Sequence, residues 1–267
     1  MTLIVDKIKR APALFVGHGN PMNAILQNDF TASLNKLGQT LEQPKAILVI
    51  SAHWFAPYDA ISIHTTSELI YDMYGFPNEL YKVQYPAPNA KLILPLITEI
   101  FPDIKVLDRG LDHGNWSILK HIYPTANIPV MQFAINSQKT LREHFELGRK
   151  LAVLREHGVM IIGSGNITHN LSKADLTHQN APLAPWAEEF ENFVKGAIEK
   201  RDFNALIKFE NKAPHARLAH PTLEHYIPLL YIAGTSYKND MSIFPYVGAE
   251  HESISMRSWL LQKDELC

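Results

Sequence analysis

The stretch that decides the fold runs from Ala46 to Phe55 and reads AILVISAHWF. Ala46 to Ile50 are all apolar, and Ile47, Val49 and Ile50 are β-branched. An apolar run without polar alternation predicts a strand buried on both faces, as in sheets covered by helices on either side. The run stops at Ser51, and His53 follows. An imidazole just past such a strand sits where open α/β sheets bind their ligands, outside the carboxyl edge. The expectation is that His53 is one of several histidines gathered there around a metal.

Two more candidate strands lead to histidine. Pro12–Gly17 (PALFVG) is followed by GHGNP, where Gly17 and Gly19 flank His18 and permit a tight turn close to a ligand. Val159–Ile162 is a further buried strand, followed by GSGNITHN with His169. If these strands are parallel neighbours, their ends converge on one edge. His113 lies in DHGNW, a loop entering a helix that ends near Tyr123. His225 lies beside Glu224 in the first turn of a helix capped by Thr222 and running through Ile232.

The rest of the chain supplies the layers. Asp29 or Thr31 caps a helix to about Leu41, and Asn89 caps one to Phe101. Ala60–His64, Ile104–Leu107 and Ile128–Ile135 read as strands. Ser67–Pro88, with Tyr71, Tyr74, Phe76, Tyr81 and Tyr85, reads as a long packed loop of a kind that often carries function. Ser137–His157 carries the apolar stripe Leu141, Phe145, Leu147, Leu151 and Leu154, with Gly158 at its C-terminal turn, and predicts one long helix. Pro185 to about Lys200 is helical, and Ala205–Phe209 continues it. Ser242–Val247 and about Ile254–Leu260 are two last strands at an edge. Strands alternating with helices predict a single-domain α/β layered fold with a central, largely buried mixed sheet flanked by helices.

The chain has 267 residues, 46 % hydrophobic and 19 % charged, which suffices for a sizeable core. Its 25 basic and 27 acidic residues are well mixed and leave a net charge of −2, which argues against nucleic acid or an anionic membrane as partner. The single cysteine, Cys267, excludes an intramolecular disulfide and a Cys-rich zinc motif. With 13 histidines, any metal site would use imidazole and carboxylate. Leu3–Val5 is too short for a signal-peptide hydrophobic region, and no stretch approaches the roughly 20 apolar residues that span a bilayer. The terminal KDELC places Cys267 after what would otherwise be a retention signal. A cytoplasmic protein is the expectation.

Bland readings stand beside the functional ones. A lone histidine near a strand end is more often hydrogen-bonded or at the surface than a ligand. His64, His121, His144, His157, His178, His215, His220 and His251 fall on apparent helix faces or polar loops and are read as solvated. The Tyr71–Tyr85 aromatics read first as core packing. Gly163-Ser164-Gly165-Asn166 lacks the glycine pattern and lysine of a phosphate loop, and no Gly-x-Ser-x-Gly nucleophile elbow occurs.

Five motifs in order give the strongest signal. GHGNPMNA (Gly17–Ala24), SAHW (Ser51–Trp54), DHGNW (Asp112–Trp116), SGNITHN (Ser164–Asn170) and PTLEHYIPLLY (Pro221–Tyr231) together resemble the class III extradiol ring-cleavage dioxygenases. With GFPNELY (Gly75–Tyr81) and YPAPN (Tyr85–Asn89), the resemblance is to their 4,5-DOPA dioxygenase branch and covers nearly the whole chain. It implies that residues 1–267 form one catalytic domain. That domain would open a catechol-type substrate such as DOPA with O2, yielding a muconic semialdehyde at a mononuclear non-haem metal. It implies His18, His53 and His225 as metal ligands. It implies His169 as the base beside the metal, or a fourth ligand when substrate is absent, and His113 as a second acid/base group.

The chemistry accounts for these residue types. Three protein ligands leave coordination positions for a chelating catechol and for dioxygen. An imidazole with an unperturbed pKa of about 6.5 can take a catechol proton and return it. Many iron extradiol enzymes use two histidines and one carboxylate, and here Glu224 and His225 compete for the third position. Adjacent helical residues point about 100° apart, so both are not expected on one ion, and the resemblance favours His225. An all-histidine set also suits zinc. Fe(II) and Zn(II) are thus both expected metals, and a zinc-binding hydrolase or a metal-binding protein without oxygenase activity on the same scaffold is the alternative.

Overall fold

Apolar side chains on both faces of the central strands dictate where the helices go. The computed structural model describes residues 9–66 and 68–264; the Leu3–Val5 run and Cys267 lie outside them. Along β2 (Ala46–Ala56), Ala46, Leu48 and Ile50 enter one core and Ile47 and Val49 the other, all fully buried. β1 (Ala13–Gly17) divides the same way, with Ala13 and Phe15 against Leu14 and Val16. This is the two-residue period of a pleated strand with helices over both faces. Each such Val, Leu, Ile or Phe contributes roughly 1.5–3 kcal/mol by its burial.

The remaining strands are β3 (Ala60–Ser62), β4 (Lys105–Leu107), β5 (Val130–Asn136), β6 (Val159–Gly165), β7 (Asp240–Tyr246), β8 (Ala249–Glu250), β9 (Ile254–Ser255) and β10 (Ser258–Lys263). Eight form one sheet in the order β4-β3-β5-β2-β6-β1-β10-β7, while β8 and β9 form a small separate pair. β5, β2, β6 and β1 run parallel, whereas β3 opposes β5 and β10 opposes both β1 and β7. The sheet is therefore mixed, as the sequence predicts.

One face is covered by α1 (Asp29–Thr40), α3 (His113–Ile122) and the segment 68–88. The other carries α2 (Leu94–Ile100), α4 (Leu141–Leu151), α5 (Val153–Glu156), α6 (Pro185–Glu199), α7 (Phe203–Ile207), α8 (Phe209–Lys212), α9 (Ala216–Ala219) and α10 (Ile227–Gly234). Among the described residues no helix is long and apolar enough to cross a membrane.

Several boundaries differ from the expectation. Asn28, not Asp29 or Thr31, caps α1, and Thr31 returns the second bond of a capping box. Asn89 does not cap a helix: α2 starts only at Leu94, with Pro95 in its first turn. The 137–157 helix begins at Leu141, because Thr140 and Glu143 form a capping box, and it breaks at Ala152. Thr222 does not cap α10, which starts at Ile227, so Glu224 and His225 lie in the turn before it. The helical stretch after α6 divides into α7 and α8. Ile254–Leu260 divides into β9 and β10, and β10 lies between β1 and β7 rather than at the edge.

Arg155 on α5 is fully buried. Its Nη1 reaches Asp240 Oδ2 at 2.6 Å, and the guanidinium also donates to the carbonyls of Ala11, Thr235 and Leu261. This ties the start of β7 to β1 and β10.

Candidate metal centre

Register brings three neighbouring strands level beside the site. Val16 of β1 lies beside Ser164 of β6, which lies beside Ser51 of β2. His18 follows β1 directly, its backbone N–H donating to the Gly165 carbonyl at 3.0 Å. Gly19 then turns the chain at a φ of 60°, a conformation open to glycine without strain. β2 does not end at Ser51 as expected, but its ladder with β6 does, and its register with β5 slips between Ile50 and Phe55. His53 sits inside that irregular stretch, where a bulge re-aims side chains. His225 comes from the turn before α10, its carbonyl accepting from Asn166 N–H at 2.9 Å. His113 opens α3, and a Cβ on the neighbouring Gly114 would lie 2.5 Å from Ser51 Oγ and 2.9 Å from His53 Cδ2. Glycine there lets the helix abut the strand.

His18, His53 and His225 converge, one ligand nitrogen from each lying within 4.8 Å of the others. Hydrogen bonds assign their tautomers. Ser164 Oγ donates to the Gly114 carbonyl at 2.6 Å, so toward His18 Nδ1, at 3.0 Å, it accepts. His18 thus carries its proton on Nδ1 and presents an Nε2 lone pair. His53 Nδ1 lies 3.1 Å from Asp72 Oδ2, and a carboxylate only accepts, so His53 also presents Nε2. These two Nε2 atoms face each other at 3.2 Å. Lone pairs that close repel unless a cation lies between them. Burial first, and neighbouring imidazoles second, hold His18 and His225 well below the usual histidine range, which disfavours a proton as that cation. Two nitrogens bound at about 2.0–2.1 Å to one tetrahedral ion stand about 3.4 Å apart. The donor set fits one divalent metal.

His169 and His113 flank this group. The His169 ring lies flat against His225, with centroids 3.6 Å apart, and burial pulls its pKa down to about 3. His113 stands 3.8 Å from His53 between centroids. Burial and His53 lower its pKa against the opposing pull of Asp72. The Asp72 carboxyl loses hydration in its site, yet hydrogen bonds from His113 and His53 hold it well below the usual carboxylate range. Glu224 Oε1 lies 3.3 Å from His225 Nδ1. Among the described residues it belongs neither to the converging group of His18, His53 and His225 nor to a second one of His53, Asp72 and His113.

A buried polar network underlies the centre. Asp112 accepts from Ser51 Oγ at 2.8 Å, Asn115 Nδ2 at 2.7 Å and Arg109 Nη1 at 3.1 Å. Arg109 Nη2 also reaches the His53 carbonyl at 3.3 Å. The network pins the start of α3 to the irregular part of β2.

Sequence reasoning missed Asp72 and Ser164. Ser164 is visible as a residue of a rejected phosphate loop and as the start of the SGNITHN motif, neither of which gives it a role beside His18. Asp72 had one signal, as the sole acidic residue between Glu68 and Glu79 in an aromatic segment. The reading of eight histidines as solvated needs correction: His64, His144, His220 and His251 are buried. Their rings bond to the Ala87 carbonyl, the Tyr231 hydroxyl, the Ile167 carbonyl and the Asp175 carbonyl respectively. His157, His178 and His215 are exposed, and His121 is half-buried.

The fold and this cluster have counterparts among known proteins. Residues 11–254 match the family model described as the catalytic LigB subunit of aromatic ring-opening dioxygenase. The chain belongs to this family: it is an aromatic ring-opening dioxygenase of the extradiol, catechol-cleaving class, which works with a non-haem metal. A 4,5-DOPA dioxygenase extradiol of Escherichia coli K12 is 40% identical over 265 residues, covering 96% of each chain. One from Beta vulgaris is 37% identical over 245 residues, covering 88% of this chain and 89% of its own length. A crystal structure of an uncharacterized protein from Escherichia coli K12 superposes with a TM-score of 0.79 at 37% identity, covering 94% of this chain and 99% of that one.

Proposed function

We propose that the chain acts as one catalytic domain that cleaves a catechol such as DOPA beside its diol, with the metal held by His18, His53 and His225. The observation that carries this reading is the pair of Nε2 atoms of His18 and His53 facing each other at 3.2 Å, which the Nδ1 neighbours of both rings leave as lone pairs, with His225 closing the group. The DOPA-type substrate is supported by the names of the relatives. Fe(II) is the metal proposed for oxygenase activity, and Zn(II) is a species the same imidazoles would also hold.

When bound, the metal supplies adjacent coordination positions for the catechol oxygens and for dioxygen. The chain's own residues hold and move protons. His169, kept neutral by burial, takes a proton from a catechol hydroxyl and returns it during ring opening. Its place outside the converging ligand atoms, among the described residues, supports the role of base over that of fourth ligand. His113 donates Nδ1–H to Asp72 at 2.9 Å and so keeps Nε2 as its proton-accepting atom. Glu224, against His225 Nδ1, orients that ligand rather than replacing it.

The test is anaerobic reconstitution with Fe(II), followed by L-DOPA or a simpler catechol and air. A yellow semialdehyde and matching oxygen uptake are expected. No oxygen consumption across a catechol panel overturns the reading, and elemental analysis of the purified protein reports the resident metal.

A further inference from the structure

We propose that Asp72 is a positioning residue that sets the tautomers of a metal ligand and an acid/base group through a single carboxylate. The inference rests on the reading of His53 as ligand and His113 as acid/base group. Asp72 Oδ2 lies 3.1 Å from His53 Nδ1. Oδ1 accepts from His113 Nδ1 at 2.9 Å and from the His113 backbone N–H at 3.0 Å. The two rings stand 3.8 Å apart, tilted by 49°. A carboxylate has no proton to give, so each ring keeps its own on Nδ1 and leaves Nε2 bare. Such a carboxylate on the far nitrogen of a ligand fixes ring orientation and raises basicity. Here its other oxygen does the same for the neighbouring ring.

The carboxylate comes from the aromatic segment and not from the sheet, yet it is seated firmly. Ile70 N–H donates to the Leu111 carbonyl at 2.8 Å, and Trp116 Nε1 donates to the Ile70 carbonyl at 3.1 Å. The Tyr71 ring packs on Trp116 at 5.7 Å, and its hydroxyl donates to the Val83 carbonyl at 2.6 Å. Trp116 and His113 share α3, so the helix that carries His113 also seats the residue that orients it.

Asp72→Asn is the discriminating variant. An amide has one accepting and one donating end, so it satisfies only one of the two Nδ1–H groups. One ring must then change tautomer or turn away. The expected result is Zn(II) affinity weaker by about 10–100-fold in a chelator competition. With Fe(II) at saturation, kcat falls at least about tenfold while KM for the catechol moves less than about threefold. The melting temperature of the metal-free variant stays near that of the wild type. Wild-type zinc affinity in Asp72→Asn, or wild-type kcat at saturating Fe(II), overturns the proposal. Zinc binding that survives His53→Ala overturns instead the ligand reading beneath it. Should Asp72→Asn not fold, nitrogen-15 histidine spectra of the zinc-loaded wild type decide. Both His53 and His113 protonated at Nδ1 upholds the proposal, and either ring with a bare Nδ1 overturns it.

Discussion

His169 lies on His225 with ring planes 4° apart and centroids at 3.6 Å. With His225 as the proposed ligand, a ring stacked on it would stand beside the metal without replacing that ligand's nitrogen. His169→Ala is therefore expected to keep at least part of its metal and to lose turnover by about 10²–10⁴-fold, the range for a lost general base. Metal content and kcat measured on one preparation check this, and near-normal turnover removes His169 from the mechanism.

His225 and Glu224 separate by the same logic. His225→Ala is expected to purify without bound metal. Glu224→Ala loses the 3.3 Å contact to His225 Nδ1 and the 2.8 Å bond from Thr222 Oγ1, so it retains metal with affinity lowered by about tenfold. Elemental analysis of both variants decides, and the reverse pattern would make Glu224 the ligand.

The Arg155–Asp240 pair makes a prediction about stability. Both side chains are fully buried. Asp240→Ala leaves the guanidinium without its charge partner and is expected to cost about 3–5 kcal/mol. Urea denaturation checks the loss, and turnover well below the lowered midpoint should persist because the pair lies away from the histidines.

His144 predicts a pH dependence. Burial lowers its pKa from 6.5 in the unfolded chain to about 4 in the fold. The unfolded chain therefore takes up a proton first as pH falls, so this stabilising effect is complete above about pH 6.5 and is lost progressively toward about pH 4. At about 1.4 kcal/mol per unit the loss is at most about 3 kcal/mol. Denaturation midpoints at pH 7 and 5 should converge more closely in His144→Gln than in the wild type. Equal slopes would show that His144 is not the group responsible.

How far the chain could be read depends on how local each feature is. AILVISAHWF, PALFVG and VMIIG announce strands because burial on both faces is written into neighbouring residues. That these strands stand side by side, with Val16, Ser164 and Ser51 level in register, is a property of the sheet order. Helix starts went astray where several cap-forming residues competed, as at Asn28 against Asp29 and Thr31. His64, His144, His220 and His251 read as solvated because the elements that pack over them are distant in the chain.

The sequence by itself determined the layered α/β class, the mixed sheet and the ordered motifs that carry the dioxygenase family. Only the tertiary structure decided that Asp72, 41 positions from His113, bridges that ring to His53, and that Ser164 gives His18 its tautomer. The reason is physical. A strand is specified by the period of its own residues, whereas a proton's place on an imidazole is specified by whichever group the fold brings within hydrogen-bonding distance.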